Sequence, residues 1–249
     1  MKQFNSGKSK KEHSYFDLLK KLLGNTKDYL FPLFCLGCDL EGVWLCEDCI
    51  KKISLNGVWC CPVCHRDGRV GFCCEQCDKK SALERHVAAT TYKESSLAGR
   101  LISAYKYEYA EDVKSALSRL VRVFLLEYKD HFLDFDMVIP VPLHKRRFAE
   151  RGYNQAKIIS GILADELCLG SENLLKRNRA TKQQVKLSRA ERLVNVKDAF
   201  EIRKEVDLSG KKILLVDDVY TTGSTMNECA KTLRGSGALN VVGFSLARG

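Results

Sequence analysis

The sequence predicts an α/β fold, a parallel sheet flanked by helices, with a small cysteine-rich module ahead of it. Three observations lead there. Ten of the 12 cysteines fall between Cys35 and Cys77. From residue 81 onward, helical patterns alternate with short apolar runs. The most apolar of these runs, Lys211-Lys-Ile-Leu-Leu-Val-Asp217, ends on carboxylates and is followed by a hydroxyl-rich turn. The chain therefore divides into a basic tail with a short helix (1–34), a cysteine module (35–80) and an α/β domain (81–249).

Taken in order, residues 2–13 are polar and basic, the composition of a loose tail. Ser14 to Leu30 reads as a short amphipathic helix, with Phe16, Leu19, Leu22 and Leu23 near helical spacing. After the cysteines, His86–Tyr92 alternates like a strand. Ser96–Tyr107 and Asp112–Tyr128 read as helices, the second with Val113, Leu117, Leu120, Val121 and Phe124 on one face. Phe135–Val141 is a short buried strand, Tyr153–Leu167 a helix, Lys211–Asp217 the strongest strand, Thr225–Arg234 a helix and Asn240–Ala247 a closing strand. Apolar strands separated by helices imply parallel pairing with both faces covered.

Composition excludes several classes. With 45% apolar and 29% charged residues, 17 Gly and 4 Pro, the chain is neither disordered throughout nor collagen-like. No apolar run approaches the roughly 20 residues that span a bilayer. Tyr15–Leu23, interrupted by Asp17, Lys20 and Lys21, is no signal-peptide core. A cytoplasmic protein without a membrane span is expected. The formal charge of +10 treats every cysteine as neutral. Two Zn²⁺ on eight thiolates would bring it to about +6, still basic and compatible with phosphate-rich partners.

Four CxxC pairs stand out: Cys35/Cys38, Cys46/Cys49, Cys61/Cys64 and Cys74/Cys77. Two residues between thiolates let a tight knuckle present both sulfurs to one tetrahedral ion, and two knuckles complete a closed Cys₄ site. Eight such thiolates predict two structural zinc sites. Disulfides are the rival, disfavoured in a reducing compartment; a thioredoxin-like motif lacks its βαβ context. Spacing does not decide between sequential and crosswise pairing, and sequential pairing is the expectation. Cys60 and Cys73 are extra neighbours, and His65 is a competing ligand. Cys168 and Cys229 lie within helical patterns and read as small core residues. The module is also expected to be separable, so that removing Cys61 and Cys64 unfolds it and leaves the phosphate motif able to bind.

That motif begins where the strongest strand delivers Asp217 and Asp218 to the carboxyl edge of the sheet, where open α/β sheets bind ligands. Thr221, Thr222, Gly223, Ser224 and Thr225 follow, directly before a helix. Hydroxyls, successive backbone N–H groups and a helix N-terminus make an anion site. The carboxylates can accept hydrogen bonds from vicinal hydroxyls such as those of a ribose. An Asp-rich turn with a Thr N-cap is the plain structural alternative.

Val216-Asp-Asp-Val-Tyr-Thr-Thr-Gly-Ser-Thr225 resembles the phosphoribosyl-pyrophosphate motif of type I phosphoribosyltransferases. Within that superfamily the chain resembles the ComF/ComFC (GntX-like) family, which carries an N-terminal double zinc ribbon. The resemblance runs from Cys35 to the C-terminus. It takes in the knuckles, Pro140-Val-Pro142, Arg151-Gly-Tyr-Asn-Gln155 and the series Thr181, Gln184, Leu187, Arg192 and Asn195. Tyr220 departs from it, standing where many relatives carry a smaller residue, and should alter the pocket wall rather than abolish phosphate binding. The resemblance implies that Asp217 and Asp218 hold the ribose hydroxyls and Thr221–Thr225 the 5′-phosphate. It places pyrophosphate with Mg²⁺ near Lys145, Arg146, Arg147 and Arg151. Mg²⁺ binds largely through substrate phosphates, so no carboxylate cage is needed.

Between these motifs, residues 176–192 are dense in basic side chains with one acid, Glu191. A solvated face is the ordinary reading of such a run; a nucleic-acid track would use Arg177, Arg179, Lys182 and Lys186. Lys51, Lys52 and Arg66 in the cysteine module form a second candidate surface. No aromatic residues interleave the run, which argues against base stacking there. The five histidines form no cluster along the chain. By resemblance, the protein binds phosphoribosyl pyrophosphate and single-stranded DNA and acts in DNA uptake during natural transformation, with a DNA-uptake helicase or other competence protein as partner. The alternative is an active, amidophosphoribosyltransferase-like enzyme passing phosphoribose to a nitrogen acceptor with release of pyrophosphate. A ligand-sensing regulator is the third.

Overall fold

The computed structural model describes residues 32–66, 68–77, 80–107, 110–179 and 195–249. The amphipathic stretch at 14–30 and most of the basic run, including Lys182 and Lys186, lie outside the described residues. The elements follow one another as α1 (Glu47–Lys51), β1 (Val58–Trp59), β2 (Arg85–Thr91), α2 (Leu97–Tyr107), α3 (Ala110–Tyr128), β3 (Met137–Pro140), α4 (Lys145–Arg151), α5 (Gln155–Leu167), β4 (Gly170–Ser171), β5 (Leu175–Arg177), β6 (Phe200–Ile202), β7 (Lys212–Tyr220), α6 (Ser224–Gly235) and β8 (Asn240–Arg248).

The main sheet has the order β1-β2-β8-β7-β3-β4. In β7, Ile213, Leu214, Leu215 and Val216 are fully buried because strands flank both edges and helices cover both faces. Leu214 lies opposite Val242 of β8 and Val138 of β3. Alternation then sorts the side chains. Leu214 and Val216 join α2, α3 and α5 on one face; Ile213 and Leu215 join α6 and the segment around Phe200 on the other. An aromatic cluster of Phe124, Phe132 and Phe244, with ring centroids 5.7–6.0 Å apart, anchors the first face.

Two features depart from the expected parallel sheet. β1 pairs antiparallel to β2, Trp59 opposite Val87; the connection between them is the second cysteine pair of knuckles, and antiparallel partners need no helical crossover. β5 and β6 form a separate antiparallel ribbon. The strongest strand also runs three residues further than its apolar pattern, to Tyr220. Pairing continues through Asp217 opposite Ser245 and Tyr220 opposite Arg248, so the acidic pair is extended by its neighbour rather than by its own propensity.

The cysteine segment packs onto the sheet. Cys35, Leu45, Ile50, Ile53 and Leu55 are buried in the same apolar cluster as α2 and α3. Arg119 of α3 donates to the Leu45 carbonyl (3.0 Å), and the Tyr128 hydroxyl donates to that of Asn56 (2.9 Å). No described helix is long and apolar enough to cross a membrane. Truncating the aromatic anchor, Phe244→Ala, should lower stability by about 3–5 kcal/mol in urea unfolding, because the packed β8 cannot collapse into the void.

Candidate functional site

The carboxyl ends of β7, β3 and β2 open on a cavity of about 540 Å³. Its floor carries Asp217 and Asp218, both half-buried. Each is oriented by the next amide: Asp218 N–H donates to Asp217 Oδ1 (2.9 Å) and Val219 N–H to Asp218 Oδ1 (2.8 Å). Thr221 and Thr225 line one wall, and the turn between them lines a small adjoining pocket that shares Asp217, Val219 and both threonines. There the Thr222 and Ser224 hydroxyls lie 2.9 Å apart, and Gly223, at φ +72°, is the N-cap of α6. Gly223 offers no capping side chain, and the first amide of the helix, Ser224 N–H, donates to Thr222 Oγ1 at 3.5 Å, so a helix N-terminus and a hydroxyl pair meet in this turn, the chemistry of an anion site.

The opposite wall comes from α4, α5 and β5. Arg147 and Arg151 both line the cavity. They are four residues apart and so share one face of α4, whereas Lys145 and Arg146 start the helix on its exposed side. Arg146 instead donates to Glu150 (3.2 Å). Burial and the charge of Arg151 push the Arg147 pKa down, and Glu150, Asp218 and Asp217 counter this; a guanidinium in that setting stays charged. The cluster is thus cationic on one side and anionic on the floor, 540 Å³ of space between them.

Arg177 is placed here too. It is only 8% exposed, with its guanidinium over the Phe200 ring at 5.3 Å, and it lines the cavity rather than offering an outer surface to a strand of DNA. Arg179 is exposed, and its guanidinium donates to the carbonyls of Asn195 (3.3 Å) and Lys197 (2.8 Å). Asn154 and Gln155 carry roles that sequence reasoning did not assign. Asn154 joins the end of β3 to the start of α5, donating to Val141 O (3.0 Å) and accepting from Ala156 N–H (3.2 Å). Gln155 is 3% exposed, and its Nε2 has no hydrogen-bond partner among the described residues although it lines the cavity. An oxygen-rich ligand would satisfy that donor. Their signal was the Arg151–Gln155 motif itself.

The knuckles pair sequentially. Cys35, Cys38, Cys46 and Cys49 bring their sulfurs within 4.8 Å of one another, as do Cys61, Cys64, Cys74 and Cys77. The Cys38–Cys46 and Cys64–Cys74 sulfurs are 3.6 Å apart, close to the ~3.8 Å of sulfurs sharing a tetrahedral zinc. Burial pushes the Cys35 thiol up, but the N–H groups of Cys46, Gly37 and Cys38 outweigh it and hold it at about 6. Burial and the other three sulfurs push Cys49 up to about 12. The second set repeats this division, Cys61 at about 6 and Cys77 at about 12. Four sulfurs this close resist joint ionisation unless a cation lies between them, so the donor set fits Zn²⁺. Cys60, Cys73 and His65 stand outside both sets, and the cysteines are not in disulfides; Cys229 is a core residue as expected, whereas Cys168 is exposed, because it caps the C-terminus of α5 instead of facing the sheet.

A phosphoribosyl transferase domain model matches residues 151–245. The DNA utilization protein YhgH of Escherichia coli O157:H7 is 33% identical over 223 residues, covering 82% of this chain and 96% of that protein. Competence protein ComFC of Bacillus subtilis is 31% identical over 224 residues, covering 87% and 88%. The chain belongs to the ComF competence-protein family. Competence protein F of Haemophilus influenzae, another member, is 36% identical over 152 residues, covering 59% of this chain and 66% of that one. Among solved structures, the B. subtilis glutamine phosphoribosylpyrophosphate amidotransferase complexed with ADP and GMP is similar over 53% of this chain and 26% of that one (TM-score 0.37, 23% identity). The adenine phosphoribosyltransferase of Leishmania donovani covers 53% and 52% (TM-score 0.33, 20% identity).

In this ComF-family chain, the fold brings Asp217, Asp218, Thr221, Thr225, Arg147, Arg151 and Arg177 around one cavity, sets Thr222, Gly223 and Ser224 in a small pocket that shares Asp217, Thr221 and Thr225 with it, and leaves Lys145 and Arg146 outside both. The two Cys₄ sets could each hold a zinc ion in a closed site without a position for substrate. Elemental analysis of the purified protein should find two zinc equivalents per chain; about one or fewer would refute the two-site assignment.

Proposed function

We propose that this protein binds phosphoribosyl pyrophosphate, with Mg²⁺, in the cavity at the carboxyl edge of the sheet. The observation that carries the reading is the division of that cavity. An oriented carboxylate pair lies between a hydroxyl-lined helix N-terminus and a wall of Arg147, Arg151 and Arg177. A ligand with a diol flanked by a phosphate on one side and a diphosphate on the other matches all three surfaces. Asp217 and Asp218 would accept from the ribose hydroxyls, the Thr221–Thr225 turn would hold the 5′-phosphate, and the arginines would face the diphosphate. Bound Mg²⁺ would neutralise diphosphate charge, carried mainly by the ligand's own oxygens with few protein ligands.

The second half of the proposal is that the protein binds single-stranded DNA and acts in its uptake during transformation, alongside a DNA-uptake helicase or other competence protein. The names of its relatives and the surplus of basic residues support this. With Arg177 inside the cavity, the contacts fall to Arg179, Lys182 and Lys186, or to the exposed Lys51, Lys52 and Arg66. A transferase reading draws on a different observation. Beyond the acidic pair the cavity continues past Tyr92, Glu94 and Ser103, which leaves room for a nitrogen acceptor beside the ribose. In that reaction the acceptor nitrogen bonds to the ribose C1 as the bond to pyrophosphate breaks and its proton leaves to solvent or a base. Release of pyrophosphate across a panel of amines, bases and DNA separates the two readings.

Replacing both acidic residues, Asp217→Asn with Asp218→Asn, should weaken phosphoribosyl-pyrophosphate binding with the fold intact. Each lost charge-assisted hydrogen bond is worth about 1.5–3 kcal/mol, so calorimetry should register at least a tenfold loss; unchanged affinity would place the ribose elsewhere. For DNA, the log–log salt dependence should carry a slope of about −0.7 per neutralised phosphate. Charge reversal at Arg179, Lys182 and Lys186 should reduce both slope and affinity if this segment is the track, and reversal at Lys51, Lys52 and Arg66 if the cysteine segment is. Wild-type protein without salt-dependent binding would leave the uptake role without a physical basis.

A further inference from the structure

The phosphate turn and the second cysteine set meet through one side chain. Tyr220 ends β7, two residues past Asp218 and one before Thr221. Its hydroxyl donates to the carbonyl of Pro62 at 2.9 Å, and Pro62 lies inside the knuckle between Cys61 and Cys64. Both residues are buried, so neither the phenol nor that carbonyl can turn to water instead. The ring is held flat against His86, centroids 3.7 Å apart at 22°, and His86 is fixed in turn by Ser245 Oγ at 3.1 Å.

On its other side the same hydroxyl touches the phosphate turn. A Cβ at Gly223 would lie 2.1 Å from Tyr220 Oη. Glycine at this position therefore does two things: it adopts φ +72° to start α6, and it leaves space for the phenol to reach the knuckle. A second strut runs parallel, with Arg248 Nη2 donating to the His65 carbonyl at 3.3 Å. The first cysteine set is built differently. It packs against α2 and α3, with Gly37 against Leu97 and Arg119 on the Leu45 carbonyl.

We infer that Tyr220 is a positioning residue through which the Cys61/Cys64/Cys74/Cys77 set controls the affinity of the phosphate turn. The inference rests on the phosphoribosyl-pyrophosphate reading of that turn. A metal holding the four sulfurs fixes the knuckle, which is too small to hold its shape by a core of its own. The fixed Pro62 carbonyl holds the phenol, and the phenol backs Gly223 at the N-terminus of α6. Coupling between two binding sites is reciprocal, so phosphate in the turn must also tighten the metal. On this inference, removing Cys61 and Cys64 leaves the phosphate motif able to bind only with lowered affinity.

The test uses the zinc-loaded full chain, ribose 5-phosphate as the probe of the turn and pyrophosphate as the probe of the arginine wall. Zinc transfer to a chromogenic chelator is followed with and without saturating ribose 5-phosphate. The sugar phosphate should slow the release of one of the two zinc equivalents in wild type. Tyr220→Phe keeps the ring and its stack on His86 but loses the donor. It should bind ribose 5-phosphate about tenfold more weakly, bind pyrophosphate as wild type does, and lose the ligand's effect on zinc release. General damage to the fold would weaken both probes together and overturn the positioning role. So would wild-type release that ignores ribose 5-phosphate, or a variant that binds it unchanged. If wild type binds neither ribose 5-phosphate nor phosphoribosyl pyrophosphate, the underlying ligand reading falls and takes this inference with it.

Discussion

Pairing of β7 along both edges is the constraint on which the rest of this molecule hangs. A strand flanked by β3 and β8 and covered on both faces must be apolar through its middle, and Ile213–Val216 are. The same pairing carries two carboxylates to the end of the strand, residues that would not hold an extended conformation by propensity alone. Because the neighbouring strands run parallel, their carboxyl ends open on the same side. The cavity exists because of that shared direction, and the helices that follow β3 and β7 begin at its rim.

The cysteine segment serves this architecture from two positions. Its first set lies against α2 and α3, sharing their apolar cluster, and its short strand β1 closes one edge of the sheet beside β2. The knuckle of its second set is tied to the phosphate turn by Tyr220 on the Pro62 carbonyl, and Arg248 holds the adjacent His65 carbonyl. A small segment rich in thiols cannot supply much apolar area of its own. Here the area comes from α2, α3 and the sheet edge beside them, and the thiols are grouped so that a metal would fix the parts that the core does not.

Electrostatics divides the cavity into surfaces with different chemistry. The floor is acidic, one wall is neutral and rich in donors, and the other carries arginines that keep their charge while partly buried. Membership of the ComF family and a phosphoribosyl transferase domain agree with a cavity built in this way. At the cavity the resting arrangement leaves the buried donor Gln155 Nε2 without a partner among the described residues, a cost that an oxygen-rich ligand would offset.

Local signals in the chain were enough to establish much of this. Strand–helix alternation, the Asp-Asp pair, the Thr-Thr-Gly-Ser-Thr turn and the CxxC spacing each depend on residues adjacent or nearly so, where geometry follows from the backbone period. Other features depended on contacts across the chain. Spacing could not choose between sequential and crosswise knuckles, because either would offer four sulfurs; folding brought Cys35 and Cys38 to Cys46 and Cys49. Charge alone could not separate Arg147 and Arg151 from Lys145 and Arg146; the helical turn did, by facing one pair inward. Arg177 read as part of an exposed basic run until the β5–β6 ribbon buried it at the cavity wall. Tyr220 read as a change in the pocket wall, whereas its hydroxyl reaches Pro62, 158 residues earlier in the chain. The sequence by itself determined which chemistry the chain carries, since that is written in local patterns. Tertiary structure alone decided which of those groups face one another, because burial and direction are properties of the packed sheet.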